Sequence, residues 1–435
     1  MTMQENPKRT FKNLRGNRML FKKNIFLSIS IALIMIFQIM FTGCDLTVDN
    51  PGPTGDAALD DPGAHEAVWN GSRFSLAQSL ARLAFMGSEP ALEAQAGERV
   101  HPIKLPLVSG QLQDDEINGE WNIAHEARYT AEEGVRRFER VMDESDFNSN
   151  PLVAKTLMNA GYANRLLGEN MCAAVIDGGS EEPHTVHLER AEDYFTRALN
   201  VAQQANEIGV VEASYAGRAQ VRLLLEDFDG AVSDASMVGD DFIHQMEYTI
   251  TTDDHYNFIF WLNDNNPYRS NTVHQVYYED YYENTGDPRV RWEDTEDRTA
   301  FDLPWNRQLK YTSRSSPMEL AKAAEMKLIE AENELNNGNW ESAMEIINDD
   351  IRSNVISDNT GAPLDVWDAD NEEEAWTALK RERGIVLWLE GRRLGDLRRW
   401  TENNTPGEME DMSSRSLCFP ISEGERQANE NIPLN

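Results

Sequence analysis

Cysteine is nearly absent. Cys44, Cys172 and Cys418 are all that occur in 435 residues, too few for a small disulfide scaffold or a cysteine-held metal cluster. Histidine is scarce too, at eight. His184 and His187 stand three apart, but Gly178, Gly179, Glu181, Glu182 and Pro183 around them read as loop, and no third ligand sits in a fixed frame. There is no Gly-x-Ser-x-Gly elbow and no phosphate-binding glycine loop. Basic charge is short: 40 lysines and arginines face 75 acids, a net charge of −35. Such a chain repels phosphate backbones, which excludes nucleic acid as a partner. Adjacent acids such as Asp253-Asp254 and Asp349-Asp350 could pose as a glycosidase pair, yet so acidic a composition produces them by itself. Neither catalysis nor a cofactor is expected.

Long apolar runs are missing as well, with one exception. Lys8, Arg9, Lys12, Arg15, Arg18, Lys22 and Lys23 precede an apolar stretch from Ile25 to Phe41, which ends in Thr42-Gly43-Cys44. Basic, apolar, then small is the order of a secretory signal. The run is short for a membrane span, which takes about 20 apolar residues. Phe41-Thr42-Gly43-Cys44 resembles a lipobox, with Phe where Leu is usual. That resemblance implies lipidation of Cys44; an ordinary cleaved signal or an uncleaved anchor are the alternatives. Met19 is a second in-frame start. Residues 1–43 are thus expected to be a signal peptide, 44–62 a lipidated tether rich in proline and glycine, and 63–435 the folded body. Beyond residue 43 the chain keeps 33 basic and 74 acidic residues, a net of about −41. Cys172 and Cys418 allow one disulfide or two buried thiols.

Helical spacing dominates the body. Val68, Leu76, Leu80 and Leu83 mark one helix, and Ile117, Trp121, Ala124, Ala131, Val135, Phe138 and Met142 mark a longer one. His101 to Gly110 reads as loop between them. Ala213–Glu226, a turn at Asp227–Gly230 and Ala231–Ala235 form one helical hairpin. Met318–Leu335, the turn Asn336–Asn339 and a helix from Trp340 form another. In both, small residues lie 12 apart (Ala219 and Ala231; Ala331 and Ala343), where two antiparallel helices can cross closely. The spacing resembles tetratricopeptide units, and any helical hairpin bundle is the alternative. A degenerate third unit runs from Leu152 to Leu167 and on from Leu188 to Ala202. The expected fold class is mainly α: a tetratricopeptide-like scaffold with an irregular insertion at about 240–312. That insertion holds fifteen aromatics between Phe242 and Tyr311, against 9% aromatics in the whole chain. Long irregular segments inside a compact domain are commonly functional.

The C-terminal third carries a more specific pattern. Glu382-Arg383 is followed by Leu389-Glu390-Gly391-Arg392-Arg393 and then Asp396-Leu397-Arg398-Arg399-Trp400. Phe419-Pro420-Ile421-Ser422, Glu425 and Asn429 close the chain. This is similar to the SusD/RagB family, with Val386 where that family usually has glutamate and Ser422 in place of a proline. Apart from the resemblance, so many arginines beside Trp388 and Trp400 read as internal clamps that tie the last helices to the repeats. Glu382, Arg383, Glu390, Gly391, Arg393, Asp396, Arg399 and Trp400 are the motif residues given this structural role.

The resemblance implies a non-enzymatic lipoprotein, lipid-anchored at the outer membrane and facing the cell surface. Its partner would be a TonB-dependent transporter (a SusC-like barrel), and its ligand a glycan or, second, a peptide. Family ligand residues vary, so the candidates come from the insertion itself. A sugar packs its C–H face on a flat ring while carboxylates and amides take its hydroxyls. Trp261, Tyr268, Tyr277, Tyr281, Trp292 and Trp305, with Asn263, Asp264, Asn265 and Asn266, supply both. The competing reading is that these rings build the insertion's own core. The competing function is a periplasmic helical-repeat lipoprotein that scaffolds protein assembly.

Overall fold

The computed structural model describes residues 56–97, 105–250, 255–263, 269–274 and 278–433. Cys44, Asp253-Asp254, Asp264–Asn266, Tyr268 and Tyr277 lie outside these residues. The body, Ala57–Asn435, is one compact unit.

The N-terminal half is a row of antiparallel helices. α1 (His65–Ser88), α2 (Leu105–Val108), α3 (Asn118–Val141), α4 (Glu144–Phe147), α5 (Pro151–Asn170), α6 (Thr185–Ala205), α7 (Ile208–Leu224) and α8 (Phe228–Ala235) follow in order. Each long helix packs on the next through α1, α3, α5, α6, α7 and α8. Small residues set the spacing. The Phe195 ring of α6 sits over Gly161 and Gly217, where an added Cβ would fall 2.7 and 2.3 Å from ring carbons. Ala219 and Ala231 are fully buried at the α7–α8 crossing, and Arg218 grips Asp234 with two bonds of 2.8 and 2.7 Å. Asp60, near the end of the expected tether, pairs with Arg137 of α3 at 2.5 Å, so that stretch is held to the body.

The repeat resumes after the insertion as α11 (Ala323–Asn336) and α12 (Trp340–Glu345), continued by a π-helical turn at Ile346–Ile351. Ala331 and Ala343 are fully buried, like their counterparts. α11 packs on α8 and on α13 (Glu372–Val386). α14 (Arg393–Glu402) and α15 (Glu423–Ala428) complete the chain. The expected helical-repeat scaffold is therefore present, with local corrections. Phe228 already opens α8, so the turn lies earlier, at Leu225–Asp227, where Glu226 takes a positive φ of 64°. Met318–Lys322 is a strand rather than the start of a helix: Met318 and Leu320 point inward around Glu319, and the strand pairs with a remote partner. His187 lies within α6 rather than in a loop. Leu105–Val108 is helical, within the stretch expected to be loop.

The insertion is built from short antiparallel pairs. β1 (Ala94–Ala96) pairs with β5 (Asn271–Val273), and β4 (Ile243–Met246) with β8 (Met318–Lys322). β6 (Trp292–Arg298) pairs with β7 (Pro304–Gln308), while β2 (Ala173–Val175) and β3 (Glu181–Pro183) form a hairpin between α5 and α6. α9 (Phe258–Asn263) and α10 (Asp280–Thr285) are short helices within it.

A C-terminal strap closes the fold. Phe419 bridges to Met171, and Cys172 is disulfide-bonded to Cys418 across 246 residues of sequence. Closing so long a loop removes much freedom from the unfolded chain, a stabilisation of about 2–4 kcal/mol. Cys172→Ser is expected to lower the unfolding free energy by that amount in urea titration; an unchanged midpoint would show that the strap holds without the bond.

Candidate functional site

The charged motif residues are buried, Arg399 partly, and each has a partner. Glu382 is fully buried and accepts from Arg289 (2.6 Å), Arg352 (2.9 Å) and the Trp367 indole (2.8 Å). Arg383 grips Asp396 with bonds of 3.0 and 3.1 Å. Arg399 spans Asp396 (2.9 Å) and Glu332 (2.8 Å), and Trp400 packs under that guanidinium. Burial alone would raise the Asp396 carboxyl, but the guanidiniums of Arg383 and Arg399 hold it down at about 2. Arg392 lies between Glu169 of α5 (2.6 Å) and Glu325 of α11 (2.7 Å). Glu390 takes two ammonium groups, Lys310 at 2.5 Å and Lys322. Arg393 donates to the Ala91 carbonyl (3.1 Å) and pairs with Glu410. Arg398 donates to the carbonyls of Gly168, Glu169 and Met171 at 2.8–3.0 Å, satisfying the open end of α5.

The backbone between α13 and α14 has to fold back sharply. Leu389 and Gly391 both take positive φ, 59° and 70°, and Gly391 lies against the α1 backbone, 3.1 Å from where its Cβ would meet Ala84. Glycine suits both demands at once. Ser422, the departure from proline, caps α15 by accepting from the Glu425 N–H at 3.2 Å. Chemically, this constellation is a frame. Its acids and bases are spent on one another, so none stands ready as a nucleophile or proton carrier. Among the described residues no three His, Cys, Asp or Glu could hold a metal together.

The aromatic candidates fall into two groups. In the first, Trp261 on α9 is half-buried, packed beside Tyr256 (5.1 Å) and Phe258 (5.6 Å). Trp305 on β7 reaches the same helix, its indole N–H donating to the Asn263 carbonyl at 3.1 Å. It is only 6% exposed, and Arg269 lies over the ring at 4.6 Å, so it presents no open face. Phe301 and Gly97 border this edge through a 2.9 Å backbone bond. In the second group, Tyr281 is stacked on Trp367, donates to Asp287 (2.9 Å) and accepts from Arg352 (3.2 Å). Its place is beside the Glu382 cluster, and burial pushes its hydroxyl up to about 12. Trp292 is half-buried, edge-on to Tyr282, with its N–H on the Glu279 carbonyl at 3.2 Å. Trp261 and Trp305 therefore come together, and Tyr281 and Trp292 lie apart from them.

Two features were not among the sequence candidates. Trp367 is one, a ring in an acidic loop that gave no periodic signal. The other is a cavity of about 950 Å³ where the repeat meets the insertion, with Arg289, Lys310, Lys322, Lys327, Glu319 and Asp350 among its lining. Val386, the departure from the usual glutamate, lines it as an apolar wall.

Known proteins can now be set beside this geometry. Residues 307–433 match the SusD family model. No curated protein matches the sequence. Solved structures match through nearly their whole length. A SusD superfamily protein from Bacteroides vulgatus shares 15% identity, with 86% of this chain and 98% of that one covered, at a TM-score of 0.62. A SusD-like carbohydrate binding protein from the same organism shares 14%, with 85% and 97% covered, at 0.62. A SusD superfamily protein from Parabacteroides distasonis shares 13%, with 86% and 98% covered, at 0.63. At such identities the likeness establishes the fold, and the family sequence is matched over the part that carries the buried motif. The described body therefore has a SusD-like fold, and residues 307–433 match the SusD family in sequence.

Proposed function

We propose that this chain is a lipid-anchored outer-membrane protein that captures a glycan at the cell surface and passes it to a TonB-dependent transporter barrel, without catalysing any reaction. One observation carries the binding site: the half-buried Trp261, set beside Tyr256 and Phe258 at the edge formed by α9, β5 and β7. A flat ring on a rigid short helix can pack against the apolar face of a sugar at little entropic cost. Asn263 is buried with its amide bonded to Asn271 at 2.8 Å, so amide and carboxylate groups for the hydroxyls are left to Asp264, Asn265 and Asn266 in the adjoining sequence. Carbohydrate binding is named for one of the structural neighbours, which supports the choice of glycan over peptide. Tyr268 and Tyr277 remain candidates for the same site, and Trp292 for a second contact. Anchorage rests on Cys44, where a diacylglycerol on the thiol and a third chain on the new amino group exceed the two-chain requirement for stable attachment.

Affinity electrophoresis through soluble starch, arabinoxylan and homogalacturonan tests the site. One polysaccharide should retard the wild-type protein, and Trp261→Ala should cut that affinity about tenfold or more. Equal retardation of the variant would discard Trp261. For the anchor, a tagged fatty acid should label the wild type and not Cys44→Ser.

A further inference from the structure

We infer that the aromatic edge around Trp261 takes an anionic glycan, whose carboxylates or sulfate esters meet Arg82 and Arg314 while a sugar ring packs on the indole. The inference rests on the glycan reading of that edge and adds the sign of the ligand's charge.

Three rings stand in contact there. Tyr256 lies 5.1 Å and Phe258 5.6 Å from Trp261, and the two are 6.2 Å from each other. Two of these rings carry a guanidinium. Arg82 of α1 stacks on Phe258 at 3.7 Å, and Arg314, from the segment between β7 and β8, lies over Tyr256 at 5.7 Å. The fold sets both positions. α1 packs on α9, with Phe85 edge-on to Phe258 at 5.2 Å. The fully buried Asn257 ties the Arg314 backbone to the start of α9. Its N–H donates to the Arg314 carbonyl (2.8 Å) and its side-chain amide to the Ser316 carbonyl (3.1 Å), while its amide oxygen accepts from the Phe260 N–H (3.0 Å).

Nothing in the fold answers the charge of these two arginines. Among the described residues, neither has a carboxylate or a carbonyl partner. In a chain with 75 acids for 40 bases, that is an exception. Arg269, over the neighbouring Trp305, is held by Asp297 at 2.6 Å, and the motif arginines take carboxylates or carbonyls. Stacking engages only the flat face of a guanidinium. Its N–H edge, which grips carboxylate and sulfate oxygens in pairs, stays open. Arg82 is half-buried and Arg314 exposed, so a ligand on the rings can reach both. A neutral glycan would offer them hydroxyls only, in bonds about half as strong as those between two charged groups. The net charge of the protein repels a polyanion at a distance, but physiological salt confines that repulsion to about 8 Å. At the rings the stacked charges are positive.

Titration calorimetry with hexagalacturonate, its methyl ester, maltohexaose and sulfated maltohexaose tests the charge. At least one anionic form should bind at one site, about tenfold or more tighter than its neutral counterpart, and which one does so tells carboxylate from sulfate. Arg82→Gln should weaken that form about tenfold and Arg314→Gln, at an exposed position, about threefold. Trp261→Ala should weaken it too. The comparison of charged with neutral ligands needs no variant, so it decides even where Arg82→Gln lowers the melting point. Neutral forms that bind as tightly as the charged ones, and lose affinity in Trp261→Ala, would overturn the charge and leave the glycan reading standing. A charged form that binds equally to wild type, Arg314→Gln and Trp261→Ala would overturn the assignment of this edge. No binding of any form would overturn the inference together with the glycan reading.

Discussion

Glu382→Ala is expected to lower the unfolding free energy by about 3–5 kcal/mol, the usual cost of removing one partner from a buried charge cluster. The carboxylate is fully buried and receives three donors, two of them guanidiniums. Without it, Arg352 loses its one carboxylate among the described residues in a site where its side chain is 3% exposed, while Arg289 keeps Asp287. The alanine also leaves a void under Trp367. Glu382→Gln keeps the volume and one acceptor, and should recover only part of the loss. Glu408, which faces Arg381 at 3.4 Å on an exposed edge, is the comparison. Its alanine variant should stay within about 0.5 kcal/mol of wild type. Urea titration reads all three. A loss below about 1 kcal/mol for Glu382→Ala would mean that Arg352 and the indole find other acceptors.

Stability should be highest between about pH 4.5 and 6.5 and fall on both sides. His187 is fully buried, with one nitrogen 3.1 Å from the Asn164 amide oxygen and the other without a partner. Burial, then the neighbouring His125 and Arg128, push its imidazole down to about 2. His125, its ring 5.8 Å away, is held down at about 3 by burial and Arg128. Unfolded, both take up protons near pH 6.5. The unfolded chain therefore binds more protons below that value, and stability is lost as pH falls from 6.5 towards the folded values. Each histidine adds a slope approaching about 1.4 kcal/mol per pH unit. Glu89 and Glu93 act in the opposite sense: burial raises them to about 8 and 7. Folded, they keep protons that the unfolded chain releases above about 4.5, so their contribution is complete below that pH and is lost as pH rises through 7 and 8. Between about pH 4.5 and 6.5 the two pairs oppose each other, so denaturant midpoints measured from about pH 3 to 9 should decline below pH 4.5 and above pH 6.5. His187→Asn should make stability decline with rising pH between about 4.5 and 6.5; an unchanged slope there would refute the buried-imidazole account.

The helices could be read from the sequence because their apolar spacing is local. The paired alanines at 219 and 231, and at 331 and 343, gave the hairpins for the same reason, since a close crossing needs small residues wherever it occurs. Met318–Lys322 was misread because its strand state depends on β4, some 75 residues earlier, and no local period records that pairing. The motif arginines announced ion pairs without naming the acids. Arg392 meets Glu169 across 223 positions, and nothing in either neighbourhood singles out the other. The aromatic site was legible only as a region. Whether a ring offers its face depends on what covers it: Arg269 lies over Trp305 and Trp367 over Tyr281, whereas Trp261 keeps part of its surface. The cavity of about 950 Å³ left no trace, because its walls come from separated segments of the repeat and the insertion.

The long reach of the motif has a consequence for how the molecule comes into being. The carboxylates of Glu93, Glu169 and Glu325 are made early and wait for donors that arrive with residues 389–392. The open end of α5 waits for Arg398, and Met171 for Phe419. A chain emerging from its N-terminus thus lacks these donors until its final tenth is released. Any chain ordered in this way keeps the bolt of its fold at the tail.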